Sequence, residues 1–350
     1  MKTYPTLSFT VVLSTVKCFL LASLILLTLN ACKDRTNVDT EPTPNQTSTE
    51  PVQVPLFGRD SAYAMVARQV AFGPRVPGTE AHKATRLWLV KKLKSYGASV
   101  KEQDFKATMA PIGEVRATNI IASFNPTYAR RVVLAAHWDT RFAGDEDDER
   151  PKDPIDGADD GGSGVGILLE IARLIQLHPL SIGVDIVLFD AEDQGTADGN
   201  PEAWCLGSQY WSKNPHISGY RAEYGILLDM VGAKEAVFQK EDVDRAYEPA
   251  KAKKIGQLYD KVWALANGMK KGDMFLNVKG SPLTDDHYFV NSLSEIPMID
   301  IIHRPLNSAK GFGGHWHTHD DSMSIIDPSV LGSVGQVVLA FLYQSSKTPM

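Results

Sequence analysis

Cysteine is scarce in this chain of 350 residues, which carries three, at positions 18, 32 and 205. We predict that the first is removed with a signal peptide and that Cys32 is lipid-modified. Only Cys205 then remains in the folded part, so no intrachain disulfide can form and a hydrophobic core must supply the stability. A single cysteine with no histidine near it in sequence is more often a small buried residue than a nucleophile.

Nucleotide-binding and serine-hydrolase motifs are also missing. The glycine-rich segment 157–164 contains no Walker lysine, no GxGxxG and no GxSxG pattern, and its carboxylates would repel a phosphate. The formal net charge of −6 argues against a nucleic-acid partner, because such partners favour basic surfaces. The sequence has no detectable internal repeat.

The first 55 residues do not have the composition of a folded domain. An apolar run, Phe19–Leu29, is too short for a membrane anchor but suits the core of a signal peptide. It ends in Leu-Asn-Ala-Cys, which resembles a bacterial lipoprotein cleavage site, although a plain secretory signal is the alternative. We therefore predict a lipoprotein signal peptide over 1–31, lipidation at Cys32, a disordered tether over 32–55 and a catalytic domain over 56–350. This organisation predicts a lipid-anchored protein of the bacterial cell envelope, facing the periplasm or the surface.

From about Leu56 onward, short apolar runs alternate with helical patterns. This alternation predicts a single α/β domain with a central mixed, mostly parallel β-sheet flanked by helices on both faces. The predicted strands are 115–124, 131–136, 184–189, 224–228 and 296–302, and the clearest helices are 164–175, 247–266 and 330–343.

Acidic residues and histidines follow most of the buried strands. Sites in open α/β sheets form at the carboxyl ends of strands, so these side chains are expected to converge. Converging carboxylates repel one another unless a cation compensates them, and a mixture of Asp, Glu and His suits zinc. The segments are His137-Trp138-Asp139, Asp159-Asp160, Glu192-Asp193, Leu228-Asp229, Asp285-Asp286-His287 and His317-Thr318-His319.

Simpler interpretations exist for several of these residues. Asp156, Asp159 and Asp160 could cap the helix that follows them. The acidic run 145–150 has the composition of a solvated loop. Among the alternating histidines 315, 317 and 319, one metal ligand is more plausible than three, and His82, His216 and His303 are interpreted as ordinary surface or buried histidines.

Taken in order, these motifs resemble the zinc aminopeptidase (M28-like) family, which also contains the animal-type glutaminyl cyclases. The resemblance extends from about Phe57 to the C-terminus. Aminopeptidases of the family bind two zinc ions, which implies His137, Asp160, Asp193, Asp229 and His317 as ligands. Cyclases use one Zn²⁺ per chain, which implies Asp160, Asp193 and His317. All five positions are filled, so the ligand set does not separate the two activities.

Other positions are more similar to the cyclases, and most similar to the bacterial ones. Asp285 precedes Asp286-His287, where aminopeptidases typically have serine, and Trp316 precedes His317, with Phe312 nearby. The resemblance implies a glutaminyl-peptide cyclotransferase, which converts N-terminal glutamine of peptides and proteins to pyroglutamate and releases ammonia. Two positions depart from animal cyclases: Asp193 replaces a glutamate, and Asp300 replaces a histidine whose role cannot be transferred.

The resemblance also implies roles for individual residues. Glu192 would be the general base and acid, while Asp229 and Asp285 would form an acidic pair that shares a proton. Trp316, Phe312 and Trp204 would form the wall of the substrate pocket. The expected partners are peptides that begin with glutamine, and the expected state is a monomer. The competing hypotheses are a two-zinc aminopeptidase and a non-catalytic peptide-binding ectodomain.

Overall fold

The computed structural model describes residues 52–110, 112–196 and 200–348. The predicted signal peptide, Cys32 and nearly all of the predicted tether lie outside these residues. Val52 and Val54, at the end of the predicted tether, pack against the hydrophobic core, and the Pro55 carbonyl accepts a hydrogen bond from Gln336. These two valines therefore belong to the fold although they stand in the predicted tether, because they have apolar surface to bury. Every helix in the described residues is too short or too polar to span a bilayer.

A mixed sheet of six strands forms the centre of the described fold. Its strands are β1 (Ser99–Met109), β2 (Gly113–Phe124), β3 (Arg131–His137), β4 (Gly183–Phe189), β5 (Gly225–Asp229) and β8 (Met298–Ile302). Their spatial order is β1-β2-β4-β3-β5-β8. The β1–β2 and β2–β4 pairs are antiparallel, whereas β4, β3, β5 and β8 run parallel. A small parallel pair joins β6 (Phe238–Lys240) to β7 (Phe275–Lys279).

Helices cover both faces of this sheet, as predicted. They are α1 (Arg59–Val70), α2 (Glu80–Ser95), α3 (Gly162–Leu177), α4 (Leu206–Lys213), α5 (Val243–Ala246), α6 (Pro249–Gly268), α7 (Asp286–Leu293) and α8 (Pro328–Lys347). Alternate residues of β3 point to opposite faces, so Val132 and Leu134 join the larger core with α3, α6 and α8. Val133 and Ala135 instead pack with Trp211 of α4 and Val290 of α7.

Glycines allow α3 to lie directly on the parallel strands. Gly161, the N-cap of α3, has φ +75°, and a Cβ there would lie 2.8 Å from the His137 ring. A Cβ on Gly164 would collide with the carbonyl oxygen of Leu228 in β5. The Gly-rich turn thus brings the start of α3 against the ends of β3 and β5, where the polar residues lie.

Candidate active site

The parallel strands β3, β4 and β5 end in polar residues or are closely followed by them, at one end of the sheet. His137 ends β3, Asp229 ends β5, and Glu192 and Asp193 follow β4 within four residues. The Gly-rich turn before α3 adds Asp160, and the 311–321 segment adds His317 from far along the chain. The sequence-based expectation that these residues converge is met.

The predicted ligands Asp160, Asp193 and His317 form one buried group. Each offers a ligand atom, and these atoms all lie within 4.8 Å of one another. Nε2 of His317 is 2.9 Å from Oδ1 of Asp193 and 4.0 Å from Oδ2 of Asp160. Oδ2 of Asp160 and Oδ2 of Asp193 are buried and have no hydrogen-bond partner among the described residues. Two buried carboxylates, one imidazole and two free oxygen atoms fit a divalent cation, and the donor set suits zinc.

A second group shares Asp160 with the first. His137, Asp160 and Asp229 also place ligand atoms within 4.8 Å of one another. Nε2 of His137 lies 3.0 Å from Oδ1 of Asp160 and 3.2 Å from Oδ1 of Asp229. A carboxylate shared by two ligand groups is the arrangement expected of a two-metal site, so the side chains for such a site are present.

Asp139, the residue two positions after His137, organises the loop that carries Glu192 and Asp193. It is completely buried, and its carboxylate accepts hydrogen bonds from the backbone N–H groups of Glu192 and Asp193 at 3.1 and 3.2 Å. The Gln194 side chain donates a third hydrogen bond at 2.9 Å. Asp139 therefore fixes the loop conformation rather than contributing a ligand to either group.

The helix-cap interpretation of the Gly-rich turn is wrong. Gly161 is the N-cap of α3, and no side chain there makes a capping hydrogen bond. Asp159 instead accepts hydrogen bonds from the backbone of Gly232 and Ala233, after β5, at 2.7 and 3.1 Å. Asp321 accepts from the backbone N–H groups of Asp159 and Asp160 at 2.7 and 3.1 Å. The carboxylates of Asp159 and Asp321 thus connect the turn to the segment after β5 and to the segment that carries His317. These connections orient the Asp160 side chain toward the ligand group.

The acidic run 145–150 is not simply a solvated loop. Oδ1 of Asp145 lies 3.0 Å from Nδ1 of His317, on the side of the ring opposite the ligand group. The guanidinium of Arg141 contacts the same carboxylate and donates to the carbonyl oxygens of Asp193 and Gly195 at 3.1 and 2.8 Å. Sequence analysis missed both residues, because a charged run gives no sign that one member turns inward.

The three alternating histidines point to three different carboxylates. His315 contacts Asp159 at 2.9 Å, His317 contacts Asp193, and His319 contacts Asp147 at 2.7 Å. The segment is a series of turns rather than an extended strand, and His317 itself has φ +56°. Only His317 joins a ligand group, as the sequence indicated.

His82, His303 and Cys205 are buried within the fold, whereas His216 is partly buried. Nε2 of His82 lies 2.9 Å from Asp190, and Nδ1 of His303 accepts a hydrogen bond from the backbone of Val237. Cys205 is 1% exposed, as expected for a small buried residue, but its Sγ lies 3.2 Å from Oε1 of Glu192. The Cys205 thiol is therefore placed to donate a hydrogen bond to the Glu192 carboxylate.

Glu192 lines the same cavity as the ligand residues Asp160, Asp193 and His317. Its Oε2 is 3.7 Å from Nδ1 of His137. Burial raises the pKa of Glu192 well above the usual glutamate range; His137 opposes this shift, and Asp193 and Asp285 reinforce it. A carboxyl group with a raised pKa in a cavity is suited to proton transfer near neutral pH.

Asp229 and Asp285 reach the same cavity from β5 and from the start of α7. Burial raises the pKa of Asp229 to about 7, with His137 opposing the shift and Asp160 and Asp285 adding to it. Asp285 also meets Asp300, which lies in the middle of β8. The acidic cluster is thus larger than the predicted pair.

A cavity of about 240 Å³ brings the predicted residues together. Its wall combines carboxylates and His317 with a larger number of apolar residues. Trp316 stacks on His317 with ring centroids 3.8 Å apart, and Phe312 lies 4.7 Å from Trp316. The wall contains all nine predicted catalytic, ligand and pocket residues, together with Asn200, Pro201, Met230, Leu283, Thr284 and Ile302, which sequence analysis missed.

Comparison with known proteins identifies the family. Residues 119–342 match the model of peptidase family M28. The chain belongs to this family. It is 49% identical to a Zn-dependent exopeptidase from Parabacteroides distasonis, with a TM-score of 0.79, covering 83% of this chain and 99% of that one.

Relatives described as cyclases match the chain to a similar extent. The glutaminyl cyclase of Porphyromonas gingivalis is 49% identical, with a TM-score of 0.78 and the same coverage of 83% and 99%. The glutaminyl-peptide cyclotransferase of Drosophila melanogaster is 27% identical over 77% of this chain and 76% of its own. Since an exopeptidase and a cyclase are equally similar in sequence, the choice between activities rests on the site.

Proposed function

We propose that this M28 protein is a glutaminyl-peptide cyclotransferase, which closes the N-terminal glutamine of a peptide to pyroglutamate and releases ammonia. The cyclotransferases among its relatives support this activity. The observation that carries the proposal is the composition of the 240 Å³ cavity. Its carboxylates Glu192, Asp229 and Asp285 stand beside the ligand group, and its remaining wall is largely apolar.

The cavity suits a reaction in which both reacting groups belong to one residue. The amine of the substrate attacks the carbon of its own side-chain amide, a five-membered ring closes, and the amide nitrogen departs as ammonia. A confined pocket favours this reaction because it holds the side chain folded back toward the amine. Trp316 and Phe312 provide flat apolar surfaces against which the methylene groups of glutamine can pack.

Glu192 is the residue that moves the proton. Its carboxylate takes a proton from the attacking amine and returns it to the departing nitrogen, so its net protonation is unchanged after each turnover. The raised pKa of Glu192 suits both steps. Asp285 and Asp229 face the amine as a negative surface and orient it toward the amide carbon.

Asp160, Asp193 and His317 hold one zinc ion in this proposal. When bound, zinc acts as a Lewis acid on the substrate amide and stabilises negative charge on its oxygen. The second group does not need an ion of its own in this proposal, because His137 contacts the carboxylates of Asp160 and Asp229 directly. In this state His137 serves as a positive partner for the carboxylates.

The two-zinc aminopeptidase remains the second candidate, because the bridging arrangement around Asp160 favours it. One experiment separates the two. Purified protein is incubated with a glutamine-headed and a leucine-headed peptide of otherwise identical sequence, and ammonia, pyroglutamate and free amino acids are quantified. The cyclotransferase yields ammonia and pyroglutamate from the first peptide and leaves the second intact. Release of free leucine or glutamine would identify the aminopeptidase.

We also propose that the protein is exported, anchored through a lipid on Cys32 and monomeric. The apolar run 19–29 followed by Ala31-Cys32 supports export and lipidation. Metabolic labelling with a fatty-acid analogue should mark the wild type but not a Cys32→Ser variant, and labelling of both would refute lipidation at this position. Light scattering of the catalytic domain without detergent measures its molecular mass and so tests whether it is a monomer.

A further inference from the structure

A chain of buried polar groups extends from Asp285 behind the cavity wall, and its other members have no role in the proposed reaction. Asp300, His287 and Glu241 are 2%, 0% and 5% exposed. The ligand atoms of Asp285, His287 and Asp300 lie within 4.8 Å of one another. Nε2 of His287 is 3.2 Å from Glu241, and Nδ1 of His287 is 3.7 Å from Oδ2 of Asp300. Asp285 is the member that reaches the cavity.

Within this cluster, Asp285 and Asp300 have opposite surroundings. Asp285 is the N-cap of α7, and its carboxylate accepts a hydrogen bond from the backbone N–H of Asp286. Asp300 lies mid-strand in β8, and neither of its carboxyl oxygens has a donor among the described residues. An ion without donors is costly to bury, whereas a protonated carboxyl is much less so.

We propose that Asp300 is a positioning residue for Asp285. Asp300 retains a proton and donates it in a hydrogen bond to Asp285, so that one ionised carboxylate is held in a fixed direction toward the substrate amine. His287, whose Nε2 lies 3.2 Å from Glu241, has its Nδ1 3.7 Å from Oδ2 of Asp300 and limits the rotation of that carboxyl group. This inference rests on the proposed cyclotransferase activity, in which Asp285 faces the amine.

The direction of the pKa shift agrees with this geometry. Burial, reinforced by the charges of Asp285 and Asp229, raises the pKa of Asp300 well above the usual aspartate range. Glu241 accepts the backbone N–H of Leu283 at 3.1 Å and so anchors the chain to a residue of the cavity wall.

Three variants test the assignment through opposite responses to the same chemical change. Asp300→Asn keeps a donor toward Asp285 and should retain kcat/KM within about a factor of ten. Asp285→Asn removes the charge and should lower kcat by about 100-fold or more. Asp300→Leu removes the donor at similar size and should lower kcat by roughly 10–100-fold with KM little changed. If Asp300 only filled space, Asp300→Leu would be as active as Asp300→Asn in folded protein, and that result would contradict the proposal.

Infrared spectroscopy adds a direct readout. The difference spectrum between wild type and Asp300→Asn should contain the C=O stretch of a protonated carboxylic acid, and the spectrum for Asp285→Asn should lose a carboxylate band. Loss of activity in Asp300→Asn equal to that in Asp285→Asn would overturn the proposal. A zinc ion that binds wild type but not Asp300→Asn would also overturn it, because the cluster would then be a metal site. If the wild type releases no ammonia, the cyclotransferase assignment has failed instead.

Discussion

Asp145 and His317 are joined by a contact of 3.0 Å between a carboxylate oxygen and the ring nitrogen that faces away from the ligand group. This contact fixes which nitrogen of His317 is free to bind a metal, and it limits rotation of the ring. Arg141 in turn holds Asp145 in place. We therefore expect Asp145→Asn to weaken zinc affinity by roughly 10–100-fold while the protein still folds.

The matched control is Asp148→Asn, which makes the same chemical change at an exposed position of the same loop. Competition with a chromogenic chelator measures both affinities. Equal zinc affinity in Asp145→Asn and wild type would show that the contact does not orient the ligand.

Glu192→Gln should separate metal binding from turnover. The glutamine occupies the same volume beside Cys205 but cannot accept a proton, so kcat should fall by about 100-fold or more while zinc content is unchanged. The control is Glu114→Gln, at a carboxylate whose side chain is 59% exposed on β2. Steady-state ammonia release and elemental analysis on the same samples provide the comparison. Cyclisation at the wild-type rate would remove Glu192 from the mechanism.

Zinc binding should release a proton from His317. Burial lowers the pKa of His317, but Asp193 and Asp145 outweigh burial and raise it to about 9 in the metal-free protein. His317 is thus protonated at neutral pH without metal, and a ligand nitrogen must be neutral. Zinc affinity should rise with pH up to about pH 9 and then level off as far as His317 is concerned.

Isothermal titration calorimetry in two buffers of different ionisation enthalpy counts this proton. His319→Asn, whose side chain faces Asp147 rather than the ligand group, should leave the count unchanged. A binding heat independent of the buffer would mean that His317 is already neutral.

Arg75 should be important for stability although it lies outside the ligand group. It is fully buried and donates to the backbone carbonyls of Trp138, Asp156 and Gly157 at 3.1, 2.6 and 2.6 Å. Burial lowers its pKa to about 10, with Asp321 and Asp139 opposing the shift, so it remains charged at neutral pH. Arg75→Met leaves these carbonyl oxygens without their hydrogen-bond donor. It should therefore lower the free energy of unfolding by roughly 3–5 kcal/mol.

Urea denaturation of the metal-free protein tests this loss. Arg59→Met is the control, since the Arg59 side chain is 61% exposed and its change should have little effect. Similar midpoints for the two variants would contradict the role given to Arg75.

The parallel strands and their polar ends could be predicted because buried strands have unmistakable apolar runs. Strand β1 could not, because its sequence SVKEQDFKATM mixes charges with few apolar residues at the edge of the sheet. Helix α7 was missed because its eight residues are too short to establish a helical period.

The site was predictable where residue type alone implies chemistry, as for Asp160, Asp193 and His317. Asp145 and Arg141 were not, because their role depends on which way a surface-like loop turns. Asp159 was given the wrong local partner, since a carboxylate before a helix usually caps it. Here it binds the backbone of Gly232, 73 positions away in sequence.

Zinc titration of the metal-free enzyme during turnover tests the central claim most directly. Substoichiometric zinc is added in steps while ammonia release from a glutamine-headed peptide is followed. The account predicts a linear rise that ends at one equivalent per chain, with pyroglutamate as the peptide product and no response in His317→Ala. A rise that continues to two equivalents, or free amino acid as the product, would contradict it.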